Sequence, residues 1–293
     1  MPTPALLDPV VVARLGNLEL RARRILDGLY SGHHLNIVRG HSQDFSEHRP
    51  YNPGDEPKTL DWKIFGRTDR LVIKQYEEQT NIGAVIVLDD SASMNFASEG
   101  RVTKLEYAKT LAAALGYLAT RQGDAIGLIS RQTLLPPASA RGHLERFFDA
   151  LEKDRGDGVW TMTDLSGRLG RPLKKRGFAI VLSDLMEDAD TVLSSLRSLA
   201  ARRHEVIVVQ LADPAERDLT FDGPVIFTDM ETGEKIETNA DAIRSTYQAA
   251  FESRRQQFAQ AFAGAGIDHL FLTTDTPFDK GLGAFLTWRA ART

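Results

Sequence analysis

The residues best equipped for chemistry stand at 89–93, Asp-Asp-Ser-Ala-Ser, where an apolar run from Ala84 to Leu88 stops abruptly. Asp89, Ser91 and Ser93 alternate with Asp90 and Ala92, so a turn there can aim one carboxylate and two hydroxyls at a common point. A hard cation such as Mg2+ takes carboxylate, hydroxyl and water oxygens and usually keeps several waters. The same residue types also cap helices, and the triplet taken alone is common. Its place directly after a buried-strand pattern, with a helical stripe soon after, favours ligand over cap.

The element that must position these side chains is the run Ala84 to Leu88, short and apolar at every position, as in a strand covered on both faces of a parallel sheet. Downstream, Leu105, Ala108, Leu111, Ala112, Leu115 and Leu118 form a helical stripe, Gly123 offers its C-cap, and residues 125–129 give the next strand. Residues 144–151 read as helix, 154–160 as loop and 165–173 as helix. Strand patterns recur at 178–182, closed by Ser183-Asp184, and at 206–211, ending at Asp213-Pro214, with a helix at 192–199 between them. A hairpin follows, with strands at 225–227 and 235–238 around the turn Glu231-Thr232-Gly233-Glu234. A long helix at 240–263, a strand at 267–272 and a last helix containing Phe285 and Leu286 complete the chain. Strands alternating with helices at this spacing predict an α/β fold, a doubly wound and mostly parallel sheet over residues 80–293 with a hairpin insertion near 222–240.

Residues 1–79 read as an N-terminal extension packing on that domain. Asp8-Pro9 starts a single amphipathic helix carrying Val11, Leu15, Leu18, Ala22, Ile25 and Leu29 to an end near Gly32. From 32 to 74 the chain is glycine-punctuated, polar and aromatic, with a turn at Pro53-Gly54-Asp55 and a short strand at 71–73. Four histidines, His33, His34, His41 and His48, fall here, but their spacing puts no pair on one face of a helix or strand.

The 293 residues carry a formal net charge of −4 and no cysteine. That balance gives no reason to expect nucleic acid or an anionic membrane as partner. The lack of cysteine excludes disulfides, thiolate metal sites and a cysteine nucleophile, and suits a reducing compartment. The N-terminus does not pair a basic start with an apolar core, and no run of about 18 apolar residues occurs. The expectation is a cytoplasmic protein without a membrane span.

In a parallel sheet the carboxyl ends of the strands share one edge, so Asp89 to Ser93 and Asp184 converge. The segment Thr161-Met162-Thr163-Asp164, read as the end of the loop before a helix, adds hydroxyls to that edge. A cation held by one carboxylate and a few hydroxyls keeps open positions, which an incoming carboxylate can complete.

These residues resemble the metal-ion-dependent adhesion site of von Willebrand factor A-type domains, a Rossmann-like architecture. Arg49, Tyr51, Pro53-Gly54-Asp55, Asp61-Trp62-Lys63, Arg67, Leu71 and Lys74, followed by the Asp89 motif, are similar to the bacterial "domain of unknown function 58" family, typically encoded beside MoxR-type AAA+ ATPases. The resemblance implies Mg2+ or Mn2+ at Asp89, Ser91 and Ser93, with Thr163, from its Thr163-Asp164-Leu165 context, as a further ligand and Asp184 acting through water. Lys58 and Asp90 depart from the family pattern. The implied function is a non-catalytic, metal-dependent module that grips an acidic residue of a protein partner, an adaptor or co-chaperone of a MoxR-type AAA+ ATPase in maturing a protein complex. The alternative is a metal-assisted phosphohydrolase using the same edge. It suffers because the second acid, Asp90, adjoins Asp89 and points away in extended chain, and because the chain carries no Walker-type phosphate loop.

Overall fold

Five apolar runs become the parallel strands of one sheet in the computed structural model of the protein, which describes residues 7–31, 45–51, 60, 62–68, 70–76, 83–157, 161–169, 177–202 and 204–290. In chain order the elements are α1 (Pro9–Ala13), α2 (Leu18–Ser31), β1 (Phe45–Pro50), α3 (Trp62–Thr68), β2 (Val72–Tyr76), β3 (Gly83–Leu88), a 3-10 turn (Ala92–Asn95), α4 (Lys104–Arg121), β4 (Ala125–Ile129), β5 (Leu134–Ala138), α5 (His143–Lys153) and α6 (Met162–Leu169). There follow β6 (Phe178–Ser183), α7 (Ala189–Ala201), β7 (Glu205–Ala212), α8 (Pro214–Asp218), β8 (Pro224–Thr228), β9 (Lys235–Asn239), α9 (Ala240–Gly264), β10 (Asp268–Thr273) and α10 (Phe278–Ala290).

The six-stranded sheet runs β10-β7-β6-β3-β4-β5, parallel throughout except for β5. The sequence reading missed β5 because it is Leu-Leu-Pro-Pro-Ala. Two prolines cannot donate to a ladder, and an edge strand is where a sheet tolerates them. Gly127 faces that edge closely: a Cβ there would lie 2.6 Å from the Leu135 carbonyl oxygen.

Strand periodicity divides the core in two. Ile86, Leu88, Ile126, Leu128, Ile180, Leu182, Val209 and Leu211 pack with residues of α2, α4, α5 and α10 on one face. Val85, Val87, Ala179, Val181, Val206 and Val208 pack with α6, α7 and α9 on the other. Both faces of the sheet are therefore covered, as the doubly wound reading requires. Truncating a fully buried strand residue such as Ile86 to alanine costs about 2–5 kcal/mol.

Residues 1–38 and 82–293 form one compact unit, and residues 39–81 a second. The N-terminal helix therefore groups with the α/β domain rather than with the segment that follows it: α2 packs on α4, sealed by an Arg21–Glu106 ion pair. The expected single helix is two. Asn17 interrupts it, accepting the Leu20 amide at 2.8 Å as a new N-cap. In the smaller unit β1 and β2 pair antiparallel, with Arg49 opposite Ile73, and the Tyr51 amide donates to the Leu71 carbonyl at 3.0 Å. The strand reading at 71–73 extends to Tyr76, whereas β1 carries too many polar residues to be visible as a strand. His33, His34 and His41 lie outside the described residues.

Candidate functional site

Strand β3 sits in the middle of the sheet, with its sequence successor β4 on one side and β6 on the other. The crevice between the ends of β3 and β6 is thus the point where the winding reverses, the place ligands occupy in open α/β sheets. The register sets Leu88 opposite Leu182, so the next residues on each strand meet. Asp89 emerges from β3 with its amide bonded to the Leu182 carbonyl at 2.9 Å, and the Ser183 hydroxyl donates to Asp89 Oδ2 at 2.6 Å. Asp89 Oδ1 accepts the Ser91 amide at 2.9 Å, which turns the chain so that the Ser91 and Ser93 hydroxyls lie 3.0 Å apart.

Asp184 enters from β6. Leu185 behind it takes a left-handed conformation, φ 55°, costly for a leucine but fixed by two contacts. Its amide donates to Ser183 Oγ at 3.0 Å, and its carbonyl accepts Arg254 Nη2 of α9 at 2.9 Å. Lys104, at the start of α4 and completely buried, donates to Asp184 Oδ2 at 2.8 Å and to Glu216 Oε1 at 2.5 Å. Glu216 is held by a capping box, in which Asp213 accepts the Ala215 amide and Glu216 returns to the Asp213 amide.

The electrostatics follow from this packing. Burial, then the nearby Asp184 carboxylate, push the Asp89 carboxyl up to about 7 against the donors Ser183 and Ser91. Burial by itself lowers Lys104, yet Asp184 and Glu216 outweigh it and hold the ammonium above its ordinary range. Glu231, from the β8–β9 turn, is raised by burial and by Asp184.

Asp89, Ser91, Ser93 and Asp184 open onto one cavity of about 700 Å³, walled on its far side by the β8–β9 hairpin, including Phe227, Met230, Glu231 and Ile236. Among the described residues its lining includes six carboxylates, Asp89, Asp184, Glu187, Glu216, Asp229 and Glu231, and no lysine or arginine. Such a surface attracts cations. Among the described residues no group of three or more His, Asp or Glu side chains is arranged to hold a metal ion. A cation here would rest on Asp89, Asp184 and the Ser91 and Ser93 hydroxyls, an all-oxygen set whose chemistry fits a hard ion with several waters.

Thr163 does not join them. The helix expected from Leu165 begins at Met162, so Thr163 lies in its first turn, exposed, with its hydroxyl 3.4 Å from Ser195 Oγ of α7. Thr161 and Asp164 are occupied with each other, Thr161 Oγ1 donating to Asp164 Oδ2 at 2.8 Å, which is how the helix start is capped. Four of the five residues read as ligands therefore line the cavity and Thr163 does not. Lys104, Glu216 and Glu231 were missed. The Asp213-Pro214-Ala215-Glu216 capping pattern was available for Glu216, and Glu231 was read only as a turn residue.

The family model described as "Protein of unknown function DUF58" matches residues 47–257. Uncharacterized proteins of Mycobacterium tuberculosis and Mycobacterium bovis are 30% identical over 290 residues, covering 96% of this chain and 90% of theirs. Among solved structures, the conserved hypothetical protein BatB from Bacteroides thetaiotaomicron overlays 72% of this chain and all of its own, at 16% identity and a TM-score of 0.48. An aerotolerance-related membrane protein from Bacteroides fragilis gives the same values. No helix among the described residues is long and apolar enough to cross a membrane.

Proposed function

The chain belongs to the DUF58 family, and from that premise we propose that it is a non-catalytic, metal-dependent protein-binding module of von Willebrand A type. The observation that carries this reading is the convergence of Asp89, Ser91, Ser93 and Asp184 on the switch-point crevice, in a cavity lined by carboxylates and, among the described residues, by no cationic side chain. Asp89 and the Ser91 and Ser93 hydroxyls would hold Mg2+ or Mn2+, with Asp184 beside them. When bound, the ion would supply the positive charge that attracts a carboxylate of a protein partner.

Every other part of the site is the chain's own work. Ser183 orients the Asp89 carboxylate through its 2.6 Å bond, and Lys104 fixes Asp184 from behind while neutralising part of the buried charge. Without a cation the cavity repels an acidic partner, so capture is conditional on the metal. The resemblance to the DUF58 family brings a MoxR-type AAA+ ATPase as the co-acting partner, with the chain serving as adaptor or co-chaperone in maturing a protein complex in the cytoplasm.

Affinity capture from the native cell tests the reading, with the wild-type chain in Mg2+, the same chain in excess chelator, and Asp89→Ala in Mg2+. Partners retained only in the first arm support it. Capture that is unaltered in the other two overturns it.

A further inference from the structure

The β8–β9 hairpin has two different faces. Opposite residues of antiparallel strands share a face, so Phe227 and Ile236 stand together on one, and Ile226 and Glu237 on the other. Phe227, Ile236 and Thr238 line the cavity, and Ile226 does not. This cavity-facing wall is braced: the Phe221 ring meets Phe227 edge-on at 5.6 Å, and Arg244 of α9 donates to the Phe221 carbonyl at 2.6 Å. From the end of β6 comes a second apolar wall. Leu185 takes its left-handed turn with its own side chain buried, and the next residue, Met186, is left 60% exposed at the cavity. With Met230 at 48% and Ile236 at 68%, the apolar walls continue outward to the protein surface.

Large apolar side chains held at a concave surface in water mark a binding surface. An enclosed small molecule buries most of its own area, whereas these walls are open at the rim and suit a chain segment that anchors one side chain inside and continues outside. Charge sets the composition of that segment. Lys104 compensates Asp184 and Glu216, but no lysine or arginine among the described lining residues stands beside Glu187, Asp229 and Glu231. We propose that the cavity is a docking groove for a segment of a protein partner that carries a large apolar residue flanked by lysine or arginine. The apolar side chain packs between Met186 and the Phe227–Ile236 wall, and the flanking cations meet the carboxylates of the hairpin tip. The flexible thioethers of Met186 and Met230 adapt to apolar side chains of different shape. The groove goes beyond the metal reading and does not need the ion, because a cation on Asp89 and Asp184 leaves Glu187, Asp229 and Glu231 in place.

The probe is a random peptide library displayed on phage and panned on the full chain, once in excess chelator and once in Mg2+. The tightest selected peptide is then labelled with fluorescein and titrated by fluorescence anisotropy against wild type, Ile236→Ser, Met186→Ser and Ile226→Ser. In both buffers the enriched sequences are expected to place a large apolar residue next to lysine or arginine. Ile236→Ser and Met186→Ser, one on each wall, should each weaken the peptide on the order of tenfold, the scale of truncating an apolar anchor. Ile226→Ser, which alters a residue of similar exposure on the other face of the hairpin, should bind as wild type does. No enrichment, or enrichment of acidic or uncharged sequences, overturns the proposal. Equal affinity in wild type, Ile236→Ser and Met186→Ser overturns it too, as does equal weakening in Ile226→Ser and Ile236→Ser. Enrichment confined to Mg2+ overturns a groove that works without the ion and leaves the metal reading standing, whereas the expected result in chelator holds whatever becomes of that reading.

Discussion

Asp89 and Asp90 are neighbours in sequence, both buried, both carboxylates, and they do opposite things. Asp89 turns toward β6, where Ser183 and the Ser91 amide hold it at the mouth of a cavity. Asp90 turns toward β4, where its Oδ1 accepts the Arg131 amide at 3.1 Å and so fixes the β4–β5 turn. Around Asp90 lie Asp154, whose Oδ1 accepts the Ser130 hydroxyl at 2.9 Å, and Lys109, whose ammonium is spent on the Asp154 carbonyl. Burial raises both acids, and pushes the Asp154 carboxyl up to about 6. A buried acid with a raised proton affinity is therefore no marker of function in this fold. What separates the two corners is the space in front of the carboxylate: one opens on a cavity with hydroxyls and further acids, the other is filled by a turn. Asp90 thus acquires a structural role.

The comparison can be broken at several points. The largest expected effect is Lys104→Met, which leaves Asp184 and Glu216 buried without their cation and should cost about 3–5 kcal/mol in chemical denaturation. A loss below about 1 kcal/mol would mean that the Asp89 corner does not need charge balance from behind. Next, Asp90→Ala leaves the Arg131 amide without its acceptor and should destabilise by about 1–3 kcal/mol while Mn2+ affinity stays at the wild-type value. Metal affinity lost in that variant would erase the distinction between the corners.

A pH series sharpens it further. The Asp89 and Asp154 carboxyls are raised in the fold, to about 7 and about 6, so the folded state holds protons that the unfolded chain has released. The contribution of these two groups to the stability of the metal-free protein is then fully present below about pH 4, the ordinary carboxylate range, and is lost as pH rises through about 6 to 7, at up to about 1.4 kcal/mol per pH unit for one proton. Asp89→Asn should flatten the upper part of that decline, and saturating Mn2+ should do the same in wild type. An unchanged slope in Asp89→Asn would show that the Asp89 carboxyl is ionised well below neutrality. A comparable effect belongs to Ser183→Ala, which removes one donor to Asp89 and the acceptor of the Leu185 amide and should cost about 1–3 kcal/mol.

Much of the fold was legible because its strands are apolar runs ended by punctuation. Residues 84–88 and 178–182 lack any charge, and each stops at an aspartate or a Ser-Asp pair, so both halves of the crevice could be read from the chain. Strand β5 was hidden by Pro136 and Pro137, and the break at Asn17 by an apolar stripe that continues across it. Thr163 was misplaced because a helix start three residues earlier moves a side chain from loop to helix face, an error within the usual uncertainty of boundaries. Lys104 and Glu231 were illegible for a different reason. One is a helix-start lysine and the other a turn glutamate, ordinary surface residues until α8 and the β8–β9 hairpin close over the strand ends.

The most direct measurement is a calorimetric titration of Mn2+ into chelator-stripped wild type, Asp89→Ala and Asp90→Ala, with circular dichroism confirming that each is folded. One saturable site per chain in wild type and Asp90→Ala, absent from Asp89→Ala, is the expected result. No site in the wild type, or the same site in Asp89→Ala, would contradict the assignment of the crevice as a metal centre.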